Sequence, residues 1–305
     1  MSNLAPELIA NFLVCAKRLL FGALVLIVSL VFSPSVFAAG RLAIIIDDIG
    51  YNLSLGRRTT DLQGDFTLAV LPFTPHGVEL AERAHQRGKE IMLHAPMSNR
   101  HNYPLGRGGL VSGMQQAEFL AVLRQNLANI PHIKGVNNHM GSALTEQAEP
   151  MRWLMAELQQ RQLYFVDSRT SAQTQALNMA ETIRLPSRKR DVFLDDERTR
   201  SNIQYQLKRA LKLAQENGSA IAIGHPYPET LTELEQLQPL LAQYQIQLVK
   251  ASQLMPASHI HHSIQKQQSG FCMAPPISLW PEVWAPVDPF AIDFIYIPGD
   301  LAHKF

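Results

Sequence analysis

The sequence predicts an α/β protein whose parallel strands, joined by crossover helices, wrap into a barrel. Three observations carry this. Short apolar runs alternate about eight times with segments of helical periodicity, the pattern of strand–helix–strand units. Chemistry-bearing residues follow the strands and do not precede them: Asp47 and Asp48, His94, His139, Asp167, Asp195 and Asp196, and His225. A barrel brings the carboxyl ends of many strands onto one face, so these six positions can share a site. No GxGxxG follows the first strand and no GxxxxGK[ST] occurs, which counts against a dinucleotide-binding fold. A doubly wound open sheet is the alternative.

The first strand, 42–46 (LAIII), runs straight into Asp47, Asp48 and Gly50. A β-branched run without polar alternation reads as a strand buried on both faces. Two carboxylates at its end are costly unless a partner or a metal uses their charge; the plainer reading is that one of them caps the next helix. Residues 53–63 form a helix stopped by Gly64. Residues 66–71 (FTLAVL) form a second strand closed by Pro72 and Pro75, and 77–87 a helix with Gly88 just past its end. The third strand, 90–93, leads to His94.

Residues 98–113 are rich in Gly, Asn and Arg without periodicity, a long loop of the kind that is usually functional or mobile. Phe119, Leu120, Leu123, Leu127 and Ile130 mark a helix stopped by Pro131. A short strand at 134–138 then ends in Asn137, Asn138, His139, Met140 and Gly141. Met151, Leu154, Met155 and Leu158 are the core stripe of the next helix.

The fifth strand, 163–166, ends in Asp167, Ser168 and Arg169, and a helical stretch covers 173–181. The basic cluster 184–190 (RLPSRKR) reads as a solvated loop before the sixth strand, 192–194, which ends in Asp195 and Asp196. A helix through Ile203, Leu207, Ala210, Leu211 and Ala214 stops at Gly218. The seventh strand, 220–223 (AIAI), ends in Gly224, His225 and Pro226. Leu231, Leu234, Leu237 and Leu241 make one last helix, and 246–249 an eighth strand.

Of the 305 residues, 46% are hydrophobic and 17% charged, with a net charge of +1. That suits one large α/β domain with extensions, and no global field points to nucleic acid. Residues 1–39 read as an export segment: Lys17 and Arg18 precede an apolar run over 19–32 and a small-residue cleavage signal around 36–39. The run is short for a membrane span, so contact with a membrane is expected only through this segment or an uncleaved anchor. In a bacterial cell the destination would be the periplasm. Cys15 and Cys272 are the only cysteines, which leaves no disulfide framework and no cysteine-ligated zinc site. From residue 256 to 305 periodicity disappears in a Pro- and Trp-bearing tail containing His259, His261 and His262. These histidines could bind metal, although a polar linker is the plainer reading.

One carboxylate and two imidazoles suit zinc or another divalent transition metal with positions left open. Asp48, His94 and His139 each lie a step beyond a strand. Asp47 beside them can accept a proton from attacking water, and His225 can serve as general acid. Asp167 is the candidate to orient His225, and Arg169 the candidate to keep Asp47 ionised. Asp195–Asp196 is equally well read as a cap, a salt bridge or a support to the site.

The motifs IDDIG, LHAPM, GVNNHMGS, VDSRTS, VFLDD and AIGHP, in this order and spacing, resemble the divergent polysaccharide deacetylase family. That family is a remote branch of the NodB-like deacetylases of carbohydrate esterase family four. The resemblance spans residues 41–255, between the export segment and the tail. It implies a distorted (β/α) barrel of seven or eight strands and a divalent metal, zinc in the first instance. The activity it implies is metal-dependent N- or O-deacetylation of cell-envelope polysaccharide or peptidoglycan glycan. By motif, Asp47 takes the place of the base, Asp48 of a metal ligand and His225 of the acid. Asn138 and Tyr51 are expected to contact substrate. His94 is followed by Met97 and Ser98, so the second histidine of the family's HxxxH motif is missing and His139 is its natural replacement. The arginine-bearing RPPY motif is also missing. A glycan-binding or regulatory envelope protein that keeps the barrel without turnover is the alternative.

Overall fold

The computed structural model describes residues 40–256. The export segment with Cys15, and the tail with Cys272 and the three histidines, lie outside the described residues.

The chain runs β1 (Gly40–Ile49), α1 (Leu53–Thr60), β2 (Thr67–Val70), α2 (Gly77–Gln86), β3 (Glu90–Met97), α3 (Gln116–Asn129), β4 (Ile133–Met140) and α4 (Ala148–Gln160). It continues through β5 (Tyr164–Asp167), α5 (Ala176–Thr182), β6 (Ser187–Lys189), β7 (Val192–Phe193), α6 (Arg200–Asn217), β8 (Ser219–Gly224), α7 (Pro228–Glu235), α8 (Leu237–Tyr244) and β9 (Ile246–Leu248). The strands form one sheet in the order β6-β5-β4-β3-β2-β1-β8-β7, with every pairing parallel. The ten-residue β1 pairs with three strands. β8 takes one edge, while β2 pairs with the carboxyl-terminal half of the other edge and β9 with the amino-terminal half.

Period-two alternation divides the side chains into two cores. Leu42, Ile44 and Ile46 of β1, with Leu68, Leu93, Val136, Phe165 and Ala222, pack against the surrounding helices. Ala43 and Ile45, with Ala69, Met92, Tyr164, Val166, Ile221 and Ile223, pack against one another inside the curled sheet. The sheet is therefore a barrel with a filled interior, not a doubly wound open layer. It is incompletely closed: among the described residues no ladder joins β6 to β7, and Arg188 reaches across to the Ser219 hydroxyl at 2.7 Å.

The floor of the barrel is polar but satisfied. Glu90 Oε1 accepts from the Tyr164 hydroxyl (2.8 Å), the Thr67 hydroxyl (3.1 Å) and the Ser252 amide (3.0 Å). Tyr164 has room to cross the interior because position 135 is glycine; a Cβ there would lie 2.4 Å from the tyrosine ring.

Three expectations need correction. The first helix stops at Thr60, where Asp61 takes over the last carbonyls, and not at Gly64. The basic cluster contains a strand, β6, paired with β5. The single last helix is two, α7 and α8, broken at Gln236. Pro239 causes this break: it has no N–H for a helical bond, and its ring clashes with the carbonyl four residues back, so it is tolerated only in a first turn.

Candidate functional site at the barrel mouth

The inward stripe of each strand becomes polar at its carboxyl end. On β1, Ala43 and Ile45 are followed by Asp47; on β3, Met92 by His94; on β4, Gly135 by Asn137 and His139; on β8, Ile221 and Ile223 by His225. Alternation alone would aim Asp48 at the helices. The β1–β2 register shifts between Ile46 and Ile49, and Asp48 sits at φ +56°. A β-bulge of this kind re-aims a side chain, and aspartate tolerates the left-handed region better than most residues. The bulge brings both adjacent carboxylates to one pocket.

Asp48 Oδ1, His94 Nε2 and His139 Nδ1 form a near-equilateral triangle. The Asp48–His94 edge is 3.2 Å, Asp48–His139 2.9 Å and His94–His139 3.1 Å. Asp48 Oδ1 is buried and no donor points at it in hydrogen-bond geometry. The three atoms gather about one point, as ligands of a common cation do. Ligands about 2.0–2.1 Å from a tetrahedral zinc stand about 3.3–3.4 Å apart, close to these edges, so the donor set fits a divalent ion.

Asn137 orders the triangle. Its Nδ2 donates to Asp47 Oδ1 at 2.8 Å, which turns its carbonyl oxygen to His94 Nδ1 at 2.7 Å. The amide therefore fixes His94 as the Nδ1–H tautomer and leaves the Nε2 lone pair facing the site. Burial pushes the Asp47 carboxyl above the usual range, against His94, His225 and the Asn137 hydrogen bond. Burial acts on Asp48 in the same sense, but His139, His94 and His225 overcome it and hold that carboxyl well below the range. Burial disfavours the His94 cation, and Asp47 and Asp48 outweigh it. Neighbouring acids of one sequence thus carry opposite shifts, one suited to accepting a proton and one to binding a cation.

His225 Nδ1 contacts Asp195 Oδ1 at 2.9 Å, and its Nε2 lies 3.8 Å from Asp48 Oδ2. Asp195 is saturated: its Oδ2 accepts from the His225 amide and the Thr230 hydroxyl. Burial opposes the His225 cation, but the Asp195 bond and the charges of Asp48, Asp195 and Asp47 raise it to about 9.

The other expected site residues are placed differently. Asp167 does not orient His225: it shares the helix-facing parity of Phe165, and its oxygens accept from the Arg169 amide and the Thr174 hydroxyl. Asn138 lines the mouth, but its side chain holds the neighbouring loop, accepting from the Ser168 amide and donating to the Met140 carbonyl. Tyr51 is 61% exposed and does not line the mouth cavity. Arg169 lines the cavity without reaching ion-pair distance of Asp47; Arg190, on the same wall, also feels the Asp47 charge. The sequence assigns no role to Asn137, leaves Asp195 between cap, salt bridge and support, and places Arg190 only in a basic loop. Strand parity carried past the strand end identifies the first two, since 137 and 139 share a face and 193 and 195 share a face.

The mouth cavity holds about 380 Å³, lined by Asp47, His94, His139, Arg169, Arg190 and His225 among others. A larger cavity of about 510 Å³ lies at the opposite end beside Glu90, Lys134 and Arg184, away from the strand-end acids and histidines. Among the described residues no helix is long and apolar enough to cross a membrane.

The profile of the divergent polysaccharide deacetylases matches residues 44–255. The uncharacterised protein YibQ of Escherichia coli strain K12 is 41% identical over 217 residues, 71% of this chain and 68% of that protein. An uncharacterised protein of Haemophilus influenzae strain Rd is 36% identical over 199 residues, 65% of this chain and 71% of the relative. The crystal structure of the uncharacterised protein ATU2773 from Agrobacterium tumefaciens C58 superposes with a TM-score of 0.68 at 25% identity, covering 71% of this chain and 89% of that one.

Proposed function

This chain belongs to the divergent polysaccharide deacetylase family, and on that premise we propose that it is an exported, periplasmic, metal-dependent deacetylase. Its substrate is an N- or O-acetylated polysaccharide of the cell envelope. The observation that carries the proposal is the convergence of Asp48, His94 and His139 beside two further groups of opposed acid–base character.

Asp48, His94 and His139 hold the divalent ion, zinc in the first instance. When bound, such an ion polarises a carbonyl and lowers the pKa of water toward about 7. Asp47 takes the proton of the attacking water. Its Oδ1 is held by Asn137, so Oδ2 receives that proton. His225 gives the Nε2 proton to the leaving nitrogen or oxygen as the bond to the acetyl carbon breaks, and acetate is released. Asp195 keeps Nδ1 protonated and the ring aimed, the role an orienting carboxylate plays for a catalytic imidazole.

The test is acetate release from acetylated envelope glycans by the metal-loaded protein. Wild type releases acetate, and Asp47→Asn keeps its metal but loses about 10²–10⁴-fold in rate. No release by wild type, with glycan binding intact, would select instead a glycan-binding envelope protein that retains the barrel.

A further inference from the structure

Two arginines at the mouth take no step in the acetyl chemistry. Arg169 and Arg190 both line the cavity. The Arg190 guanidinium is fixed on three sides: Nε donates to the Ser168 carbonyl at 2.7 Å, Nη2 to the Arg169 carbonyl at 3.2 Å, and its carbon lies 4.9 Å from the centre of the Phe193 ring. Its Nη1 has no acceptor among the described residues. Arg169 sits at φ +55° with its backbone N–H donating to Asp167 Oδ1, and no described residue accepts from its guanidinium.

Neither forms an ion pair with a described carboxylate, whereas Arg188 in the same basic cluster pairs with Asp191. A half-buried guanidinium with open donors and no carboxylate at ion-pair distance is costly. Burial lowers Arg190 from its ordinary value; Asp47 and Asp167 oppose this, while the neighbouring Arg169 charge adds to it. Ser168, which also lines the cavity, adds a buried hydroxyl without a partner among the described residues. The wall therefore has donors and positive charge awaiting an acceptor that enters from the cavity.

We propose that this wall selects acetylated sugars bearing a carboxylate, bound by Arg169 and Arg190 while the acetyl group faces Asp47 and His225. The planar fork of a guanidinium matches a carboxylate. A uronic acid carries one on the ring itself, and an N-acetylated amino sugar with a lactyl ether carries one on its side arm. The proposal takes its acetyl group from the deacetylase reading, but the charge selection stands on binding alone.

The experiment titrates the full chain carrying Asp47→Asn, loaded with zinc, with three probes. These are a neutral N-acetylglucosamine oligomer, a lactyl-bearing glycan oligomer and an acetylated oligouronate, each acid paired with its methyl ester. One acid binds about 10–100-fold more tightly than its methyl ester, and which one identifies the source of the carboxylate. The preference weakens with salt and disappears in Arg169→Gln and Arg190→Gln, while Arg190→Lys restores part of it. Equal binding of acids and esters overturns the proposal, as does a preference that survives both glutamine substitutions. The acid–ester comparison needs no arginine variant, so it holds even if one fails to fold. Absence of acetate release by wild type, with acid-selective binding intact, would count against the deacetylase reading and leave this one standing.

Discussion

The positive φ of Asp48 places two adjacent carboxylates in two different environments. Asp47 keeps the inward parity of β1, and the bulge brings Asp48 round to the same pocket. Each then meets different neighbours: Asn137 bonds to the first, while both histidines converge on the second. Asn137→Ala removes the hold on the His94 tautomer, and zinc affinity falls about 10–100-fold, measured by competition with a chelating dye. Asp195→Asn leaves His225 without the carboxylate that fixes Nδ1–H, and kcat falls about 10²–10⁴-fold while KM changes little. At this scale Asp47, Asp48, His94, His139 and His225 were legible as the polar residues that end apolar runs. Asp195 was legible as one of a pair at a strand end, but its role was not, and Asn137 was not picked out, because the sequence offers adjacent pairs, NN and DD, and only the pleat says which member faces inward. Arg190 was hidden in a basic run with two other arginines, of which Arg188 pairs with Asp191.

Alternation inside each strand also explains how the elements pack. The inner stripe must fill a narrow barrel, so a large residue on one strand requires a small one on its neighbour. Gly135 opposite Tyr164 is the clearest case. Gly135→Ala would overpack this layer at a cost of about 1–3 kcal/mol, read as a lower urea midpoint at unchanged slope. Strand and helix order was legible because buried parallel strands are short and nearly all apolar, with helical periodicity between them. The break between α7 and α8 was not, because Leu231, Leu234, Leu237 and Leu241 keep one apolar stripe across it while Pro239 acts on the backbone. β6 escaped notice because three residues, Ser-Arg-Lys, carry no apolar signal; pairing with β5 defines it.

At the scale of the whole molecule, the barrel has a filled interior with a satisfied acid at its floor and a cluster of acids and histidines at its mouth. The helices outside hold it with ion pairs of their own. Arg124 on α3 and Arg161 clamp Glu157 on α4 at 2.8–3.1 Å. The Arg124 bond, aided by Arg161, holds the Glu157 carboxyl below its ordinary value of 4.5 against the effect of burial. A carboxyl depressed in the folded state binds fewer protons there than when unfolded. Its contribution to stability is therefore full above pH 4.5 and is lost as the pH falls through the folded value. Glu157→Gln flattens that part of the acid limb in urea midpoints measured across pH.

The measurement that bears most directly on the account is a zinc titration of the wild-type chain beside His94→Ala and His139→Ala, followed by calorimetry. One ion per chain binds in the wild type, and each substitution removes or severely weakens that binding while the fold, read by circular dichroism, is retained. A wild-type chain that takes up no divalent ion, or one whose ion is unaffected by both substitutions, would contradict the metal centre on which the proposed chemistry depends.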